Sequence, residues 1–278
     1  MNENRFVIPL EVFENGLLQF RQYDCHIKRN LTNSTISFGE RKNFNDPFDC
    51  NLPIKLCSEY EWQQYLLKCP LKGFILSPAY IAKRAQDLAK DASNVQKEIE
   101  SLIYDHRRFS CFTIALDKNL FGNNMFWASY ANKHSGICLK FNGRKLIDHY
   151  LYLGIYPIPI KYSKDEEIPE FNYIKNTLKG KEELASKYFF GTKSKEWENE
   201  DELRLICYSE EKIDSKFLEI EFEPSCLEEV YLGYKFCPDK VIEIKKILSD
   251  VKYEHVKLYK LERDNSFFKF NRVQIKIH

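Results

Sequence analysis

The sequence predicts an α+β fold: a mixed, mainly antiparallel β-core with helical insertions. Short runs rich in aromatic and β-branched residues, bounded by Asn, Asp, Gly and Pro, recur along the 278 residues and read as strands. Two longer stretches, at about 77–108 and 171–190, have helical spacing instead. No internal repeat or Gly/Ser linker separates them, so residues 1–278 are expected to form a single domain with those two insertions.

The first strand is expected within Gly16–Tyr23, where apolar and aromatic residues alternate, and the second at Ser34–Phe38, after a polar stretch around Asn30–Asn33. Phe44-Asn45-Asp46-Pro47-Phe48-Asp49 then favours a rigid turn closed by side-chain-to-backbone hydrogen bonds. Ser77 is an N-cap with proline at the first helical position, and Ile81, Ala85, Leu88, Ala92, Val95, Ile99 and Leu102 form one apolar stripe reaching about Arg108. Ser110–Thr113 reads as a buried strand and Ile137–Phe141 as another. If 126–133 is a short helix between them, Trp127, Tyr130 and His134 share one face and line a pocket wall. A proline-interrupted strand at 156–162, an acidic loop at 165–169 and a helix at about 171–190, broken near Gly180, follow. The tail adds a strand at 217–223, the apolar run Val230–Tyr234, a helix at about 238–250 and strands at 254–261 and 267–276.

Composition narrows the function classes. With 42 basic and 41 acidic residues no global field attracts polyanions, so any nucleic-acid contact must come from a local patch. No run of about eighteen apolar residues occurs, and Met1–Arg5 does not lead into a long apolar region, so neither a membrane span nor an ordinary signal peptide is expected. Nine cysteines without a Cys-x-x-Cys pair read as small buried hydrophobes in a reducing cytoplasm.

Chemistry concentrates in Trp197-Glu198-Asn199-Glu200-Asp201-Glu202-Leu203-Arg204. On a strand, Glu200, Glu202 and Arg204 share one face. Two readings fit. One is an ion-paired edge; the other is a paired-carboxylate site in which like charges push one pKa up and Trp197 lowers the dielectric or offers a stacking plane. His134 is either a general base or substrate contact, or a structural hydrogen-bonding group. Asn45 and Asp46 suit turn capping more than ligand binding. Asp46, Asp49, Glu200 and Glu202 would, if they met, serve a metal-dependent nuclease or phosphodiesterase. A non-catalytic module binding a nucleotide or protein through the same pocket is the third class.

The set Phe44–Asp49, Ser110-Cys111-Phe112, Trp127-x-x-Tyr130-x-x-x-His134-x-Gly136, and Lys193 with Trp197-x-x-Glu200-x-Glu202-x-Arg204 resembles the bacterial domain-of-unknown-function 2971 family across about residues 18–262. Phe126 stands where that pattern has Met, and Asn199 where it has an aromatic. A weaker resemblance, to ADP-ribosyltransferases, lies in Arg21 on an early strand, Ser37 on the next and a late Glu-x-Glu at a strand start. It implies split β-sheets, Glu202 as catalytic carboxylate with Glu200 as helper, and NAD as a substrate. Arg21, Tyr23 and Ser37 would contact NAD, with Trp127 or Tyr130 stacking on nicotinamide. Asn45, His134, Trp197 and Arg204 would face the acceptor. The implied acceptor is a macromolecule, RNA or DNA among them, in a bacterial toxin or phage-defence setting with an antitoxin as partner and no resident metal.

Overall fold

In a computed structural model of the chain, residues 7–52, 54–68, 76–168, 171–172, 174 and 182–277 are described below. Helix α1 (Leu10–Asn15) leads into β1 (Leu17–Arg21), α2 (Cys25–Asn33) and β2 (Thr35–Gly39). Helices α3 (Glu59–Lys68), α4 (Pro78–Lys90) and α5 (Ala92–Tyr104) precede β3 (Arg107–Ile114), α6 (Asn124–Ser129), β4 (Ile137–Phe141) and α7 (Gly143–Tyr152). Then come β5 (Tyr156–Pro159), β6 (Lys161–Ser163), α8 (Glu182–Gly191), β7 (Thr192–Ser194), β8 (Glu202–Tyr208) and β9 (Phe217–Glu221). The chain closes with β10 (Leu227–Leu232), α9 (Pro238–Leu248), β11 (Lys257–Arg263) and β12 (Phe270–Ile275).

Ten strands make one open sheet, and β6 and β7 pair as a separate parallel ribbon. The order across the large sheet runs β12-β11-β10-β4-β1-β3-β2-β9, with β8 on β3 and β5 beyond it. Every pairing in it is antiparallel except β10 with β11, which α9 connects as a crossover. The expected α+β class, mainly antiparallel, is what the chain adopts.

Strand β3 organises the site. Along one edge it pairs with β8 from Arg107↔Tyr208 to Thr113↔Glu202. Its other edge is shared by two strands that diverge: β1 holds the end at Leu18↔Thr113, and β2 touches only at Gly39↔Phe109. Between those contacts the sheet is split.

Alternation along the strands sends side chains to two faces. One face is covered by α1, α2, α7 and α9, whose Val12, Ile27, Leu31, Leu146, Tyr150 and Leu248 join Leu17, Phe112, Leu203 and Leu205 in the largest core cluster. The opposite face carries two separate clusters. Aromatic and aliphatic side chains of α3, α5 and α8 cover Phe109 and Ile206, while α6 covers Leu18, Phe20 and Tyr231. A charged group occupies the seam between them.

Several sequence expectations change here. The 77–108 stretch is two helices, broken at Asp91, and it yields to β3 at Arg107. The break rotates the stripe, so Leu102 is 60% exposed and Ile103 takes the buried place. Asn30–Asn33 belong to α2, which Asp24 caps by accepting from the amides of His26 and Ile27 at 2.9 and 3.1 Å. Phe171 forms an isolated bridge with Ile54 and is not helical; the expected break near Gly180 falls outside the described residues.

Candidate active site

The turn foreseen at Phe44–Asp49 forms, with the amide of Phe48 donating to Asp46 Oδ1 at 2.9 Å. It delivers Asp49 to the underside of β8. There Arg204 is completely buried. Its guanidinium forks onto Asp49, Nη1 to Oδ1 at 3.0 Å and Nη2 to Oδ2 at 2.8 Å, while Nε donates to Glu202 Oε1 at 2.9 Å. Nη1 also donates to the carbonyl of Phe190 at 3.0 Å, and the Phe44 ring lies 4.8 Å from the guanidinium carbon. Such planar, bidentate pairing is the geometry that lets an arginine survive burial.

Lys193, from β7, is the second cation. Its Nζ lies 2.5 Å from Glu200 Oε2, 3.3 Å from Glu202 Oε2 and 3.5 Å from Asp49 Oδ2. The Trp197 ring sits 4.8 Å from it, so that aromatic backs the ammonium. The Tyr130 hydroxyl donates to Glu200 Oε1 and accepts from Asn45 Nδ2 at 2.8 Å. The amide of Glu202 donates to the Tyr162 hydroxyl at 2.9 Å.

The two glutamates are held differently. Glu200 ends a 3-10 turn, Lys195–Glu200, and Asp201 adopts left-handed φ 44° before β8 begins at Glu202. Glu200 is therefore not on the strand, contrary to the expected shared face; it meets Glu202 through Lys193. Burial alone would raise both. Arg204 and Lys193 overcome it at Glu202 and hold that carboxyl at about 2, so it stays ionised. At Glu200 burial outweighs Lys193 and Tyr130, and the pKa is raised. Nor is this an ion-paired edge, because β8 lies between β3 and β5.

Beside the cluster lies a cavity of about 330 Å³ at the split between β1 and β2. Cys111 and Thr113, on the Glu202 face of β3, line it together with Ser110 and Phe112 of the opposite face. Its wall brings together Arg21, Ser37, Asn45, Tyr130, Glu200 and Glu202, with the Phe20 and Phe126 rings stacked at 5.0 Å. Ser37 is oriented by Asn30, whose Nδ2 donates to its hydroxyl at 2.7 Å. A side chain at Gly136 would collide with the carbonyl of Arg21, so that glycine lets the end of β1 approach. The Arg21 guanidinium has no hydrogen bond or ion pair to any described residue, and burial lowers its pKa, only partly offset by Cys111 and Asp24.

Other expected site residues lie elsewhere. Tyr23 packs on Phe236 in the core and reaches Glu243 at 3.4 Å. Trp127 is fully buried, its indole donating to the carbonyl of Leu120 at 2.9 Å. The helix carrying it stops at Ser129, and Asn132, Lys133 and His134 all take positive φ, so His134 leaves the expected face and enters a second groove. Trp197 and Arg204 stand behind the cavity wall. Phe20, Phe126, Cys111 and Lys193 complete the wall. Lys193 and Cys111 had a sequence signal through the family pattern, and Phe126 stood in it as a departure; Phe20 had none.

The carboxylates named for a metal site do not assemble as one. Asp46 closes its own turn, while Asp49 and Glu202 share Lys193 and Arg204, and Glu200 pairs with Lys193. Among the described residues no group of three or more His, Cys, Asp or Glu has metal-site geometry.

Residues 126–205 match the model of the family described as protein of unknown function DUF2971. Over that segment the chain is similar to the DUF2971 family. No curated protein and no solved structure matches the chain. The DUF2971 segment holds Tyr130, Gly136, Lys193, Glu200, Glu202 and Arg204. The two other motifs, Phe44–Asp49 and Ser110–Phe112, precede it in sequence, yet they supply Asp49 and Cys111 to the same site. No helix among the described residues is long and apolar enough to cross a membrane.

Proposed function

We propose that the chain is an ADP-ribosyltransferase-like enzyme that uses NAD to modify a macromolecular acceptor. One observation carries the reading: Arg21, Ser37 and Glu202, from three separate strands, line one cavity where β1 and β2 part. Arg21, without a hydrogen bond or ion pair to a described residue, suits the anionic diphosphate of NAD, and the Phe20–Phe126 stack with Tyr130 offers an aromatic wall for a flat ring. The cavity volume falls within the range of small-ligand sites, about 300–1,000 Å³.

Cleaving the nicotinamide–ribose bond sends the bonding pair to nicotinamide and leaves positive charge on the sugar. A carboxylate already fixed and ionised stabilises that charge without reorganising, an effect typically of order 10²–10³ in rate for one preorganised group. Glu202 meets both conditions. Glu200, with its raised pKa, is the better proton acceptor from an incoming hydroxyl or amine as it bonds to the ribose carbon. The toxin or phage-defence setting rests on resemblance alone.

The test is incubation with NAD and cell extract, following nicotinamide release by mass spectrometry. Wild type should release nicotinamide and Glu202→Gln should lose about 10²-fold or more. Equal release from both would sink the proposal.

A further inference from the structure

A second groove, of about 370 Å³, is lined by His134, Tyr234, Lys235, Arg263 and residues Phe267–Phe270. It lies where the turn after α6 meets the β11–β12 hairpin. Lys235, Arg263 and Lys269 are all exposed, and none is ion-paired with a described residue. The single acid in the lining, Asp264, is occupied locally, accepting from the amides of Ser266 and Phe267 and from Asn271.

Aromatic rings alternate with these cations. Tyr234 stacks on Phe270 at 6.2 Å and 30°, His134 lies 5.6 Å from the same ring, and Phe267 and Phe268 project at 67% and 101% exposure. His134 Nδ1 is buried without a hydrogen-bond partner. A chain of net charge +1 thus concentrates three cations without an ion pair to a described residue, exposed rings, one of them with Lys269 Nζ 5.1 Å over it at Phe267, and an unsatisfied ring nitrogen in one concave strip.

We propose that this groove binds single-stranded nucleic acid, with Lys235, Arg263 and Lys269 on phosphates and Phe267, Phe268 and Tyr234 stacking on bases. Cations flanking ring faces are the general recipe for sequence-tolerant single-strand binding. A duplex would keep its bases stacked away from those rings. The proposal deepens the transferase reading by naming its acceptor class. The same short element serves both sites: Phe126, Ser129 and Tyr130 line the cavity, while Asn124 and His134 line the groove.

The experiment is fluorescence anisotropy of a labelled 12-nucleotide mixed-sequence RNA, and of its DNA counterpart, without NAD. It uses the full chain and a Glu202→Gln background, so that binding is judged independently of any transferase activity. Salt-dependent binding of the single strands, weaker for a duplex, is expected. Phe267→Ser with Phe268→Ser should weaken it about tenfold or more, through exposed residues whose loss leaves the core intact. Replacing Lys235, Arg263 and Lys269 by Gln should lower the slope of log affinity against log salt by about 2. Absence of binding at low salt, insensitivity to both sets, or binding only to anionic lipid vesicles would overturn the proposal.

Discussion

Arg204 and Arg21 differ by almost everything except their guanidinium. Arg204 is wholly buried, stands behind the cavity wall and spends its donors on Asp49, Glu202 and the Phe190 carbonyl. Arg21 stands in the wall, deep enough for its pKa to fall, with no partner among the described residues. The first is framework, its desolvation offset inside the protein. The second carries a desolvation cost that an incoming anion would relieve.

Swapping each for an uncharged side chain is the hardest test of that contrast. Arg204→Met should leave Asp49 and Glu202, buried beside Glu200, with Lys193 as their shared cation and destabilise the fold by about 3–5 kcal/mol, read from urea midpoints. Arg21→Met should leave the midpoint unchanged or raise it, while NAD binding by calorimetry weakens by about 1.5–3 kcal/mol, the worth of a charge-assisted hydrogen bond. If both variants lose stability alike, Arg21 is framework too and the contrast collapses.

The glutamates sharpen it next. Carboxyl carbon shifts followed by NMR should place Glu202 near 2 and Glu200 above the usual 4.5. Glu202 is lowered, so its contribution to stability is present above 4.5 and lost as pH falls toward about 2. Glu200 is raised, so its contribution has the opposite sign: most favourable where it is protonated, and lost as pH rises through its folded pKa. Glu200→Gln should therefore flatten the stability profile between 4.5 and the raised folded pKa of Glu200, and Glu202→Gln between about 2 and 4.5. The smallest change is Tyr130→Phe, which removes a hydrogen bond that favours the Glu200 anion. It should lift the Glu200 titration by under one unit, about 1 kcal/mol or less.

Legibility followed locality. The turn at Phe44–Asp49, the Ser77 cap and the strand after Gly136 were readable, because each depends on neighbours in sequence. The Asp91 break was not, since the apolar spacing runs on through it while side-chain packing rotates. Within the site, Glu202 and Arg204 were readable as a strand face. Glu200 was misplaced because one left-handed residue, Asp201, separates turn from strand, and aspartate tolerates that conformation without announcing it. Asp49 could be named from the sequence but not paired: its bond to Arg204 spans 155 residues. The free guanidinium of Arg21 is a property of what surrounds it, which no single residue encodes.

The divergence of β1 and β2 reaches beyond the cavity it opens. Along Ser110–Phe112, β3 has no strand partner on that side among the described residues, and the side-chain amide of Gln19 reaches the Cys111 carbonyl there at 3.5 Å. A sheet border of this kind on an outer surface invites another chain to pair with it. Here it forms part of the wall of the cavity. What remains is a short run of main-chain groups along the wall of a cavity of small-ligand size.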